Sequence, residues 1–389
     1  MQKKVERFIA LDVLRGLTMV IMALDHSRDF FALGWVYYAP TDISLTNLEV
    51  FFTRWITHFA APTFMFLAGI GLYFASTRRT KNELAKLAIS RGIWMIFLEL
   101  TLVGFFWSFN SEFLTHPKVA VLFAIGVSMI GVGLLIYLPK YLMIIFTAII
   151  ILGHNALDLV SAEYFGSYAW MWMLAHQPGE FMMGDIQIRV VYPFFPWIGV
   201  MALGYLVGPL TKKPQLERRK IFLRSGLTLL LLGLVLRFSN IYGDTYDWLD
   251  YSSWDATFMS FMDFSKYPPS LVYLSVLLGI TLTLMSLLDR NLKGWSKPLE
   301  VFGQVPFFFY VIHIPILHLG GIALAQFVFG DSSWLFGAPI GHSPEGYSYG
   351  SELLPTYIGW VLVVIGLYFP SKWFANLKRT RKDWWLSYL

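Results

Sequence analysis

The feature that most limits what this chain can become is a succession of apolar runs, each long enough to cross a bilayer as a helix of about 20 residues. They centre near 8–31, 48–76, 84–107, 119–138, 141–158, 190–210, 221–238, 270–289, 299–328 and 354–371. Ten such runs in 389 residues favour one membrane domain over 1–389 rather than several soluble units. Composition agrees, with 56% of residues hydrophobic and 14% charged, where soluble domains carry about 25% charged residues. The predicted fold class is all-α, a polytopic bundle of about ten transmembrane helices.

Charge gives the bundle a direction. With the N-terminus inside, the cytoplasmic connections hold 22 of the 30 Lys and Arg residues, from Lys3, Lys4 and Arg7 through Arg78, Arg79, Lys86 and Lys212 to Lys293, Arg379 and Lys382. Arg15 and Arg91 lie within helices, and Arg28, Arg54, Lys118, Arg189, Arg237 and Lys266 fall outside. The positive-inside rule therefore predicts that both termini are cytoplasmic. The net charge of +5 sits in short connections and does not point to nucleic acid. Cysteine is absent, which removes thiolate metal sites and a cysteine nucleophile. The first run holds Asp12 and Arg15 with no small-residue cleavage site after it, so it reads as a retained helix.

That first run, RFIALDVLRGLTMVIMALDHSRDFF, carries far more ionisable residues than a lipid-facing helix tolerates. At 100° per residue, Asp12, Arg15 and His26 share one face, and Arg15 lies about 16 Å from His26 along the axis. A charge anchor deep in the membrane with an imidazole near the outer surface is a candidate active site. The plainer alternative is a structural Asp12–Arg15 pair and an interfacial His26.

Other runs add candidates at the same level. Arg54 and His58 are spaced i, i+4, with Pro62 expected to bend the helix one turn later. Arg54 has a second reading, as the neutraliser of Asp25 or Asp29. Arg91 and Glu99 stand two turns apart, and Arg91, with Lys86, is placed near the cytoplasmic end. Arg189 precedes an irregular, Pro193- and Pro196-bearing helix start, and Lys266 and Tyr267 precede two prolines. Tyr310 and His313 lie between Pro306 and Pro315 on an expected broken helix. His318 and His342 have no assigned role. No spacing asks for a metal, and no P-loop, dinucleotide fingerprint, HExxH or nucleophile elbow is present.

Three long outer connections are predicted, at 156–189, 239–269 and 329–353. The second mixes Asp244, Asp247, Asp250, Asp255 and Asp263 with Tyr242, Tyr246, Trp248, Tyr251, Trp254 and Tyr267. Acidic and aromatic groups together suit a carbohydrate or amine acceptor; an interfacial aromatic belt is the alternative.

LDVLRGLTMVIMALDHSRDFF, TRWITHFAAPTFMFLAGIG, FSKYPPSLVYL, GQVPFFFYVIHIPILH and KRTRKDWWLSYL together resemble bacterial proteins of the heparan-alpha-glucosaminide N-acetyltransferase catalytic-domain family, over essentially the whole chain. The Arg15-to-His26 spacing is also similar to that of acyltransferase family three. The resemblance implies an acyltransferase in the bacterial inner membrane that moves an acetyl group from cytoplasmic acetyl-CoA, or another acyl-CoA, to an amino or hydroxyl group of an extracytoplasmic glycan or amino sugar. His26 is then the base, with Asp25, Asp29, Arg54 and His58 around the reaction. Arg15, Arg91 and Lys86 take the CoA phosphates, and Lys266, Tyr267, Tyr310, His313 and Arg189 take the acceptor. The cavity is expected among runs 1, 2, 3, 6 and 9. The chain departs from the lysosomal enzyme in having Asp25-His26-Ser27-Arg28-Asp29 where that enzyme has an asparagine and a glycine-rich loop. Membrane lipids are expected partners, nucleic acid is not, and a homodimer is open. The competing function is a transporter or flippase of a sugar- or lipid-linked substrate, against which stands the lack of repeat symmetry.

Overall fold

The computed structural model describes residues 8–32, 39–292, 294–337, 353–381 and 383–388. Lys3, Lys4, Arg7, Lys293, Lys382, His342 and most of the third outer connection lie outside the described residues.

Helices account for every one of the ten apolar runs. They are α1 (Ile9–Phe31), α2 (Leu48–Thr57), α3 (Ala60–Ser76), α4 (Lys81–Leu98), α5 (Gly104–Ser108), α6 (Val121–Leu135), α7 (Lys140–Gly153), α8 (Ala169–Ala175), α9 (Phe195–Val207), α10 (Gln215–Ser239), α11 (Trp254–Met262), α12 (Leu271–Leu288), α13 (Lys297–Gln304), α14 (Pro306–Phe329) and α15 (Leu353–Thr380). Among the described residues, seven stretches are long and apolar enough to cross a membrane: 48–76, 81–108, 140–157, 215–239, 271–288, 306–329 and 353–380. Helix α1 has the length but is heavily charged, while α6 and α9 are apolar but short, at 15 and 13 residues.

Helix α1 is the central element. Most of its length is buried, against α3 on one side and α13, α14 and α15 on the other. Its crossing with α13 is closed by two glycines: a Cβ on Gly16 would stand 1.9 Å from the Leu299 carbonyl oxygen, and one on Gly303 would stand 1.8 Å from that of Asp12. Backbones in such contact tolerate no side chain between them.

The proline expectations hold with a shift in place. The second run breaks at His58–Phe59, one turn before Pro62 and not at it. Proline lacks the N–H that would bond the carbonyl four residues back, and its ring crowds that carbonyl. The carbonyl is that of His58, and the Tyr273 hydroxyl donates to it at 2.8 Å instead. In the ninth run the break falls at Val305, between α13 and α14, whereas α14 continues through Pro315.

One feature departs from a purely helical expectation. β2 (Gly179–Met183) and β3 (Ile186–Val190) form a hairpin across Gly184-Asp185, with Gly184 at φ +61°, and β3 pairs in parallel with β1 (Lys118–Val119). A two-residue hairpin turn requires positive φ, which glycine supplies without strain. Arg189 therefore sits on a strand, paired with Lys118, rather than on an irregular helix start.

Candidate active site

A cavity of about 590 Å³ is walled by the C-terminal half of α1, by α2, α5 and α14, and by the small sheet. Into it project Asp25, His26, Arg28 and Asp29 from one and a half turns of α1, which is why this stretch is so polar for a membrane helix. Arg54, Glu99, Trp107, Lys118, Arg189, Tyr192, Tyr267 and Tyr310 line the remainder.

The geometry of His26 defines the protonation pattern of the floor. His313, fully buried, points Nδ1 at the carbonyl oxygens of Tyr310 (2.6 Å) and Phe309 (3.1 Å). Only an N–H satisfies carbonyl oxygens, so a neutral His313 has its lone pair on Nε2. That nitrogen lies 2.7 Å from Nδ1 of His26. In the arrangement this network assigns, His26 Nδ1–H donates to His313, leaving the His26 Nε2 lone pair free. Trp107 meets the His26 ring edge-on at 5.2 Å, and Tyr310 meets it at 6.2 Å.

The carboxylates beside His26 have other partners. Asp25 accepts from Arg54 at 2.6 and 2.7 Å and from Thr57 at 3.0 Å and forms an ion pair with Arg28 at 2.9 Å, while Arg28 also donates to Asp29 at 2.9 Å. The His26 Nδ1 contact is thus with His313, and Asp25 is the carboxylate on which two guanidinium groups converge. Arg54 follows its alternative reading as the partner of Asp25. His58 shares the level but not the cavity; it is buried beside Tyr273, with ring centroids 5.8 Å apart.

Glu99 has a task that helix spacing did not indicate. It starts a π-helical turn, Glu99–Val103, and accepts from the backbone N–H groups of Leu122 (2.7 Å) and Phe123 (3.2 Å). Helix α6 begins after Ala120, which has no capping side chain of its own. The carboxylate caps it from outside, where unpaired N–H groups and the helix dipole favour negative charge. Glu99 is therefore separated in role from Arg91.

The residues assigned to CoA phosphates lie toward the other end of the bundle. Arg15 reaches Asp12 (3.5 Å) and the Gly303 carbonyl (3.2 Å) at the last turn of α13. The Nε of Arg91 is buried without a hydrogen-bond partner, and Tyr388 donates to Ser90 nearby at 3.2 Å. Lys86 is exposed one turn away. Between these groups and His26, Met19 and Met22 are buried in a cluster with Leu122, Phe302 and Phe309.

Part of the acidic and aromatic loop is structural. Buried Arg237 donates to Asp244 (3.1 Å) and to the carbonyls of Tyr246, Ser260, Phe261 and Asp263, so the loop folds around this guanidinium. From that connection only Tyr267 lines the cavity. Lys266 is buried beneath it, and Arg189 stands at the rim, 3.5 Å from Glu180. Trp107, Lys118 and Tyr192 were not singled out as site residues from the sequence; Lys118 lies 5.6 Å over the Trp107 ring, a pairing that neither residue's local pattern reveals.

Residues 7–242 match the family heparan-alpha-glucosaminide N-acetyltransferase, catalytic. The chain belongs to this family. It is accordingly a multi-pass membrane protein with an acetyltransferase-type catalytic domain. Comparison with curated proteins finds none that matches. The family match ends at Tyr242, short of the whole-chain resemblance expected, so Lys266, Tyr267, Tyr310 and His313 lie beyond it.

Proposed function

We propose that the protein transfers an acetyl or other acyl group from cytoplasmic acyl-CoA to an amino or hydroxyl group of a sugar on the extracytoplasmic side of a bacterial inner membrane. The observation that carries this reading is the His26–His313 pair, which leaves an unprotonated imidazole nitrogen in a cavity built within a membrane acetyltransferase family. His26 Nε2 takes the acceptor proton as the acceptor nitrogen or oxygen forms its bond to the thioester carbonyl carbon. The carbon–sulfur bond then breaks, and the imidazolium returns the proton to the leaving thiolate. Arg54, through Asp25, fixes the α1–α2 wall.

In this reading ten helices span the membrane, with α1, α6 and α9 completing the seven, and both termini are cytoplasmic. Arg15, Arg91 and Lys86 receive the CoA phosphates, because arginine forks match phosphate oxygens. The acyl arm follows the α1 face past Met19 and Met22, whose unbranched side chains yield more readily than branched ones. The acceptor enters between Arg189, Tyr310 and Tyr267.

Purified protein in nanodiscs should bind acetyl-CoA and release CoA thiol faster when an amino sugar is added. The chain has no cysteine, so the thiol signal has no protein background. Amino-sugar uptake by proteoliposomes without thiol release would instead establish the transporter reading.

A further inference from the structure

Lys266 is 7% exposed, and among the described residues no carboxylate stands within ion-pair distance of it. Its Nζ lies 5.2 Å from the ring centroid of Tyr267 and 5.9 Å from that of Tyr192, both of which line the cavity. Besides these rings it has the Tyr267 hydroxyl as a hydrogen-bond partner, with the charges of Arg54 and Asp25 acting on it. Burying an ammonium in such surroundings is costly, and such groups concentrate where they serve chemistry.

We propose that the Tyr267 hydroxyl is a second catalytic group, the donor that stabilises the oxyanion formed during acyl transfer, and that Lys266 is its positioning residue. This rests on the function proposed above. As the acceptor bonds to the thioester carbon, the carbonyl electron pair moves onto oxygen, and the Tyr267 O–H donates a hydrogen bond to it. The O–H bond of Tyr267 stays intact. Collapse re-forms the carbonyl and expels the CoA thiolate, while the acceptor proton passes through His26.

A donor of this kind must be held still, since preorganised dipoles work by needing no rearrangement. The segment carrying Tyr267 is pinned at every side. Trp55 donates to the Met262 carbonyl (2.9 Å), the Ser265 N–H to Asp244 (3.0 Å) and the Ser270 N–H to the Ser265 carbonyl (2.9 Å). His154 Nε2 meets the Pro269 carbonyl at 2.7 Å, and the Leu271 N–H donates to Asn155 at 2.8 Å. The hydroxyl hydrogen has only a long 3.4 Å contact to Tyr192, readily exchanged for a substrate oxygen, while the Lys266 ammonium is a hydrogen-bond partner of the phenol oxygen.

The surrounding charges sharpen the donor. Facing Tyr267 are Lys266 from its own segment, Arg54 from α2, Asp25 from α1, the Tyr192 hydroxyl and, from α12, Tyr273. Burial by itself would raise the phenol, but the two cations outweigh it and bring Tyr267 down to about 8. A more acidic phenol is a stronger hydrogen-bond donor, and one near 8 remains protonated at neutral pH. Lys266 is itself pushed below its ordinary value, by burial first and then by Arg54.

The test combines thiol release from acetyl-CoA, with glucosamine as probe acceptor, and ultraviolet titration of tyrosinate. Tyr267→Phe should lower kcat by about 100- to 1,000-fold, as expected for one lost oxyanion donor, with KM for acetyl-CoA changed less than about threefold. In the wild type kcat should fall on the alkaline side near pH 8, and one tyrosinate should appear there by absorbance. Lys266→Met should move both upward by at least about one pH unit, while Lys266→Arg keeps them in place. Thiol release by the wild type with near-normal kcat in Tyr267→Phe overturns the assignment of Tyr267 and leaves the proposed function standing. An alkaline limb and a tyrosinate titration unmoved in Lys266→Met overturn the role of Lys266. Absence of thiol release in the wild type, with the tyrosinate still forming near pH 8, overturns the proposed function and the catalytic role with it.

Discussion

His26 and His313, 287 residues apart in the chain, lie with imidazole rings 16° from parallel and Nδ1 2.7 Å from Nε2. The pairing places a second histidine where other general-base sites use a carboxylate, and its buried carbonyl partners fix the direction of the proton. Replacing His313 with Phe keeps the ring volume and removes the acceptor. That variant should retain acetyl-CoA affinity while losing about 10- to 1,000-fold in kcat, within the range of general-base contributions. Steady-state thiol release with a parallel binding titration checks it.

Asp25 and Arg54 should behave as a unit. Removing one partner of a buried pair strands a charge and costs about 3–5 kcal/mol, whereas replacing both is often far milder. Asp25→Asn, which strands the Arg54 guanidinium, should therefore destabilise the protein more than the Asp25→Asn/Arg54→Met double variant does. Thermal unfolding in detergent, run on both single variants and the double, measures the coupling.

Gly303→Ala tests the crossing that holds α1. A methyl placed 1.8 Å from the Asp12 carbonyl oxygen forces the two helices apart. The expected cost is about 1–3 kcal/mol or more. Since α1 carries His26, kcat should fall along with the melting temperature, even though Gly303 is remote from the cavity floor.

The loop folded around Arg237 should gain stability on mild acidification. Burial raises Asp244 and Asp263 to about 6, partly opposed by Arg237, while an unfolded carboxyl titrates near 4. The folded form then holds protons that the unfolded form has lost between about pH 4 and 6. The resulting stabilisation is complete below that window and disappears as pH rises through about 6. Melting curves from pH 4.5 to 7 should show this slope in the wild type and a flatter one in Asp244→Asn/Asp263→Asn.

The parts of the molecule visible in the sequence are those set by local pattern. Apolar runs mark the helices, and Pro62 and Pro306 mark breaks to within a turn. The density of charges over Asp25–Asp29 marks the cavity wall, because ionisable groups in a membrane helix must face something polar. Long-range pairings are not visible in this way. Nothing near His26 indicates that its partner sits on α14, and nothing near Glu99 indicates that it caps α6 rather than answering Arg91. The acidic loop misled for the same reason: its Asp244 carboxylate and several of its carbonyls gather around Arg237, a residue placed outside by the charge bias but left without a role. The β2–β3 hairpin was missed because an alternating pattern of only five residues per strand was overshadowed by the apolar run that follows.

In the proposed reaction the free nitrogen of His26 removes the acceptor proton. The most direct measurement is CoA thiol release by His26→Ala protein that is shown, by its melting curve and acetyl-CoA affinity, to be folded and loaded. A loss of at least about 100-fold in kcat with binding little changed is expected. Near-wild-type turnover by that protein would contradict it and place the base elsewhere in the cavity.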